Sequence, residues 1–159
     1  LTASSAREAS IIALLAAGIV KATNGCVLVG DYDPAIQSVA CKRIAAFVPH
    51  EPFPLDEAEF VRYIEYRAAL WSVERAQALA RAALLRKRLA GMHEAFAYPL
   101  IGALIAKPKL LVLDRPQPAY ARRILDVTAG IALLSTHVEA ASAAAFAPGT
   151  LAQIRAHRA

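Results

Sequence analysis

Positions 10–20, SIIALLAAGIV, are apolar almost all round, a pattern that predicts a buried helix stopped by Thr23, Asn24 and Gly25. Residues 26–29 form a short apolar run of β type closed by Gly30, Asp31, Asp33 and Pro34, and residues 44–48 predict a second strand ending at Pro49. The texture then changes. Residues 49–54, PHEPFP, read as a loop, and Asp56 with Glu59 three residues on has the form of a helix N-cap. Residues 57–70 and 73–88 carry apolar side chains at helical spacing with charges between them, Gly91 breaks the second helix, and a third runs to about residue 106. Lys107, Pro108 and Lys109 punctuate the chain before residues 110–113, LLVL, a continuous apolar strand suited to a sheet covered on both faces. Residues 122–129 predict a helix, residues 131–134 another buried strand, and an alanine-rich helix follows His137.

The order is helix, two strands, a helical block, then strand, helix, strand, helix, which predicts an α/β sheet with an inserted helical subdomain at about residues 56–100 of a single domain spanning 1–159. Ligands of open α/β sheets bind at the carboxyl ends of the strands, where Asp114 and His137 fall, so these two are the first candidates for chemistry. Each also has a plainer reading as a capping residue at a strand–helix junction. Of the 159 residues 57% are hydrophobic but only 7% aromatic, and much of the apolar fraction is alanine, so the core is expected to be helix-rich and to rest on a limited set of larger side chains. Phe60, Tyr63, Tyr66 and Trp71, at near-helical spacing, are expected to pack that core rather than to stack bases.

The net charge of +5 comes from basic residues scattered along the chain, apart from Arg81, Arg86, Lys87 and Arg88, which read as a solvated helix face and predict no nucleic-acid partner. Cys26 and Cys41 are too few and too far apart for a zinc site or a CxxC redox motif, and His50, His93 and His137 lack ligand spacing on one helix. The longest apolar run, ten residues, is about half of what a bilayer requires, and Arg7 with Glu8 before it and Lys21 after it make a poor signal peptide.

Two segments carry a family resemblance. Residues 106–116, AKPKLLVLDRP, resemble the Walker B segment of ATP-binding cassette (ABC) ATPases, and residues 133–142, LLSTHVEAAS, resemble the switch-histidine segment of the same family, in the right order and about 20 residues on. Residues 11–34 are similar to the helix, turn and strand after the Walker A loop, and residues 45–60 to the Q-loop region leading into the helical subdomain. The resemblance implies a P-loop NTPase-like ABC ATPase fold of α/β class. It also implies ATP and Mg²⁺ as cofactors, with Ser10 and His50 at nucleotide-binding positions, Asp114 holding Mg²⁺ through water and His137 as the switch-histidine equivalent. The sequence opens on Leu1 rather than Met, directly before the loop-like stretch; either an upstream segment precedes it or, if the chain starts there, the family's preceding strands with their adenine-stacking aromatic are absent.

The chemical positions depart from the family pattern. Against GxxxxGK[ST], residues 3–10 read ASSAREAS: Ala3 and Glu8 stand for the glycines, Ala9 for the lysine, and only Ser10 is kept. Loss of one cation about 4 Å from a phosphate forfeits on the order of 4 kcal/mol at an effective dielectric of about 20, and Glu8 adds repulsion. The residue after Asp114, the family's catalytic Glu, is Arg115, a permanent cation unable to act as a base and placed to pair with Asp114 instead. His50 aligns with the Q-loop glutamine, the signature falls near Leu89, Ala90, Gly91 and Met92, and residues 117–120 do not match the D-loop.

These features predict an ABC transporter ATP-binding-subunit-like protein with a degenerate Walker A loop and ATP hydrolysis weak or lost, a pseudo-ATPase. The resemblance implies a membrane permease subunit and a second ATP-binding subunit as partners, and a cytoplasmic place at the inner face of the cell membrane. The alternative is a non-enzymatic regulatory or protein-interaction domain on the same fold, with the helices of residues 56–88 as its contact surface.

Overall fold

The computed structural model describes residues 1–146. Its elements are α1 (Ala6–Ala16), α2 (Ser38–Ile44), β1 (Ala45–Val48), α3 (Glu57–Leu70), α4 (Arg75–Arg88), α5 (Glu94–Leu104), β2 (Leu110–Asp114), α6 (Ala121–Val127), β3 (Ala132–Thr136) and α7 (Ala140–Ala144), with a 3₁₀ turn at Pro118–Tyr120 before α6. The three strands form one parallel sheet in the order β1, β2, β3, with Leu113 of β2 opposite Val48 on one side and Ser135 on the other. Parallel strands need crossover connections. Between β1 and β2 the crossover is the whole helical block α3–α5, and between β2 and β3 it is α6.

Both faces of the sheet are covered, which is why β2 reads as unbroken apolar sequence. Val112 and Leu134 face α1 and meet its buried Ala13 and Ala16, while Leu111 and Leu113 turn the other way into a core shared with α5. α5 is buried along nearly its full length and carries Tyr98, Leu100, Ile101 and Leu104 between the sheet and the other helices of the block. On α3, Phe60, Ile64 and Ala68, four residues apart, make the buried stripe, and the Phe60 ring stacks on Tyr98 at a centroid separation of 4.0 Å. Asp56 closes a capping box with Glu59, as its spacing predicts.

Three expectations require correction. The run 26–29 is not a strand: Val29 makes a single antiparallel bridge with Tyr32 across the turn at Gly30, and Leu28 is 61% exposed. An apolar run becomes a strand only with a neighbour to bond, and none of the three strands pairs with this one, although Val29 packs against Ala45. The first helix starts at Ala6, four residues early, because Ser5 caps it, and it ends at Ala16, before Gly18 at φ +67°. Tyr66 is not core; it stands outward from α3 at 61% exposure. Helix α2 was not expected at all. The alanine-rich segment after His137 forms α7, and its continuation beyond residue 146 lies outside the described residues.

Most arginines in the helical block have partners within the chain. Arg86 bridges Glu57 and Glu94, joining α3, α4 and α5. Arg81 donates to the Ile105 carbonyl at 2.7 Å, Arg67 to Gly102, Arg88 to Asp126 and Arg123 to Ala90, so cations sit against carbonyls in and around helix C-termini.

Candidate functional site

The carboxyl ends of β2 and β3 and the first turns of α1 converge. Asp114 ends β2 opposite Thr136, the last residue of β3, and α1 lies across both strands so that Ser10 reaches them from above. Asp114 is buried, and all of its acceptor capacity is used within the chain. Oδ2 accepts from Ser10 Oγ at 2.7 Å; Oδ1 accepts from Thr136 Oγ1 at 3.3 Å and from Arg115 Nε at 3.0 Å. Arg115 Nη2 also donates to Ser10 Oγ at 2.9 Å. One guanidinium therefore spans the hydroxyl and the carboxylate.

Arg115 has φ +46°, a left-handed conformation that disfavours a side chain with Cβ by about 1–2 kcal/mol. It persists because the backbone is pinned on both sides: its N–H donates to the Thr136 carbonyl at 3.0 Å, and its carbonyl accepts from His50 Nδ1 at 3.0 Å. His50, predicted at a nucleotide-binding position, thus stands at the rim of the cluster and touches Arg115 through its backbone. A pocket beside it, lined by Val48, His50, Phe96, Leu113, Arg115 and Tyr120 among others, is mostly apolar and offers no cradle for phosphate.

His137 lies apart. The residue is 2% exposed, its ring shares a hydrogen bond with Ser135 Oγ at 2.9 Å and packs near Phe146, and none of its hydrogen bonds among the described residues reaches Ser10 or Asp114. Burial pushes its pKa down to about 4, so the imidazole is neutral at pH 7. Its backbone pairs with the first residues of the chain, the His137 N–H donating to the Leu1 carbonyl and the Ala3 N–H to the His137 carbonyl, both at 2.8 Å. Leu1 to Ala3 thus run parallel to the end of β3 before turning into α1.

The loop-like stretch 3–10 is mostly helix. Ser5 Oγ accepts from the Glu8 N–H at 3.2 Å, and the Glu8 carboxylate folds back to accept from the Ser4 N–H at 2.8 Å and from the Ser4 hydroxyl. Those bonds, the hydroxyl's first, hold the Glu8 carboxyl below the usual carboxylate range. An N-terminal helix turn attracts anions, and here the anion belongs to the chain. Ala9, which the sequence resemblance aligns with the family's lysine, is fully buried on α1.

Sequence reasoning brought Ser10, Asp114 and Arg115 to one place. It missed Thr136 as a partner of Asp114, although both are polar residues closing apolar strands. In the signature-like stretch Leu89 is buried, Gly91 has φ +84°, and Arg123 lies over the turn, its Nη2 3.0 Å from where a Cβ on Gly91 would sit. His93 then caps α5 by accepting from the Ala95 N–H at 3.3 Å.

A parallel sheet covered by helices on both faces, with the hydroxyl of the first helix on an aspartate at a strand end, is an α/β architecture. Solved structures share this fold. An ATP-binding subunit of an ABC transporter superposes at TM-score 0.67 and 19% identity, over 89% of this chain and 68% of that one. cbiO1 from Clostridium perfringens, part of the ABC transporter complex cbiONQ, superposes at TM-score 0.60 and 15% identity, over 87% of this chain and 65% of that one. The chain spans about two thirds of the length of these structures. No family model and no curated protein matches it. The fold is that of ABC ATPase subunits.

That fold implies Mg²⁺ and ATP, and the residues present do not fit them. A cation between Ser10 and Asp114 would have to expel the Arg115 guanidinium, and a phosphate at the start of α1 would meet the Glu8 carboxylate. Arg115, the side chain following Asp114, is a permanent cation and cannot act as a base. Among the described residues no helix is long and apolar enough to cross a membrane.

Proposed function

We propose that this protein is an ABC transporter ATP-binding-subunit-like component whose own nucleotide site is silent, and that it serves transport through a membrane permease and a second ATP-binding subunit at the cytoplasmic face of the membrane. One observation carries the reading: Arg115 occupies the place after the Walker B-like aspartate and binds both Asp114 and Ser10. The likeness in fold to subunits of transporters supports the choice of partners. Ser10, His50, Asp114 and His137 are inherited positions in this reading, with Asp114 and Ser10 turned to a structural task.

Calorimetric titration of Mg²⁺-ATP into the purified protein, with phosphate release measured alongside, tests the silent site. No saturable binding at millimolar nucleotide is expected; saturable binding that disappears in Asp114→Ala overturns it. Co-sedimentation with a hydrolysis-competent ATP-binding subunit co-expressed from the same source tests the role in transport, and a protein that stays alone with both partners present defeats it.

A second reading, a protein-interaction domain without nucleotide dependence, is favoured by large apolar side chains standing out from the helical block. Tyr66 and Leu70 on α3 and Leu84 on α4 are each more than half exposed. Under it, Tyr66→Glu with Leu70→Glu abolishes partner binding while ATP has no effect.

A further inference from the structure

We infer that the Arg115 guanidinium is a covalently tethered replacement for a divalent cation, and that it masks a latent metal site formed by Ser10 and Asp114. The inference rests on the silent-site reading and adds what fills the site. Coordination is carried by the same atoms that would meet a metal: Ser10 Oγ, 2.9 Å from Nη2, and the Asp114 carboxylate, with Oδ1 3.0 Å from Nε and Oδ2 3.4 Å from Nη2. Ser10 gives its only hydroxyl proton to Asp114 and a lone pair to Arg115, which closes the group. A side chain of Asp only 5% exposed requires a countercharge, and the structure supplies it from the next residue along the chain.

Two further features fit a replacement rather than a chance surface pair. The Arg115 side chain is itself only 19% exposed, and its backbone is held in the left-handed region by bonds to Thr136 and His50. Glu8 mirrors it at the start of α1, with a carboxylate where an anion would sit. Cation and anion are thus both supplied by the chain. The consequence is specific: neutralising Arg115 leaves Asp114 and Ser10 facing a gap with uncompensated negative charge, which attracts a divalent ion.

Mn²⁺ alone is the probe, read by electron paramagnetic resonance and by thermal unfolding of the whole chain. The wild-type protein is expected to bind no Mn²⁺ at this site at millimolar concentration and to unfold at the same temperature with Mn²⁺ or chelator. Arg115→Gln is expected to unfold at lower temperature without metal, to recover part of the loss with Mn²⁺, and to bind Mn²⁺ at least about tenfold more tightly than wild type. Adding Asp114→Asn to that variant abolishes the gain. Asp114-dependent Mn²⁺ binding by the wild type, or a folded Arg115→Gln protein with no gain, overturns the inference. Should Arg115→Gln fail to fold in chelator, folding in millimolar Mn²⁺ is expected, and failure there also overturns it. A Mn²⁺ gain in Arg115→Gln, together with a wild type that joins no transporter subunit, sinks the functional reading and leaves this inference standing.

Discussion

Ala9 stands where the sequence resemblance places a lysine. The residue is fully buried, so restoring the family's lysine by Ala9→Lys would force a charged chain into packed space. We expect a loss of about 2 kcal/mol or more in urea unfolding and no gain of ATP binding by calorimetry. Two buried titratable groups bound the pH range of stability. His137, at about 4 when folded against an ordinary 6.5, binds its proton more readily in the unfolded chain. Its contribution is full above pH 6.5 and is lost as pH falls toward 4, at most about 3 kcal/mol. Tyr98, pushed up to about 12 by burial and by its bond to Glu94, acts in the opposite sense: its contribution is present below pH 10 and is lost as pH rises toward 12, again by about 3 kcal/mol at most. Thermal scans across pH check both, with the acid loss reduced in His137→Gln and the alkaline loss reduced in Tyr98→Phe. Gly102 is set by contact: a Cβ there would overlap the Tyr63 ring, so Gly102→Ala is expected to cost about 1–3 kcal/mol and to be partly rescued by Tyr63→Leu, read as a double-mutant cycle in urea. At this scale Asp114, Arg115 and Ser10 were legible because a motif fixes their order. Thr136 was not, since its contact with Asp114 exists only once two strands 22 residues apart take their register.

At the scale of elements, local signals and tertiary ones separate cleanly. α3 was readable to the residue because its start is written into the chain: Asp56 and Glu59 satisfy each other's backbone donors with no help from elsewhere. Asp56→Ala is therefore expected to lower stability by about 1 kcal/mol in urea unfolding, with helix α3 fraying first by hydrogen exchange. The misread 26–29 run shows the converse. Its composition suits a strand, but strand formation depends on a neighbour, and composition carries no information about neighbours. α2 escaped notice for a related reason: seven residues with one buried side chain, Cys41, are too short for a periodic pattern, and the helix is held by packing against β1. α5 was expected at about its true length although Pro99 lies inside it, because its apolar content suits burial between sheet and helices.

Across the whole molecule, the α/β alternation and the inserted helical block followed from the order of periodicities, and the likeness to ABC transporter subunits bears that architecture out. What the order could not reveal is that the block has no core of its own: Phe60, Ile64, Ala78 and Ala82 share one continuous cluster with Ala46 and Leu111 of the sheet. Of the basic cluster on α4, Arg81, Arg86 and Arg88 proved to be fasteners, each bonded within the chain. A bond of that kind at the strand ends has a kinetic meaning. A ligand that arrives from solution has an on-rate and an off-rate, and a site that exchanges it can keep time; Arg115 is joined to Asp114 by the peptide chain itself and has no off-rate. If the site is silent as proposed, the rhythm of a transporter that includes this protein is set by another of its parts.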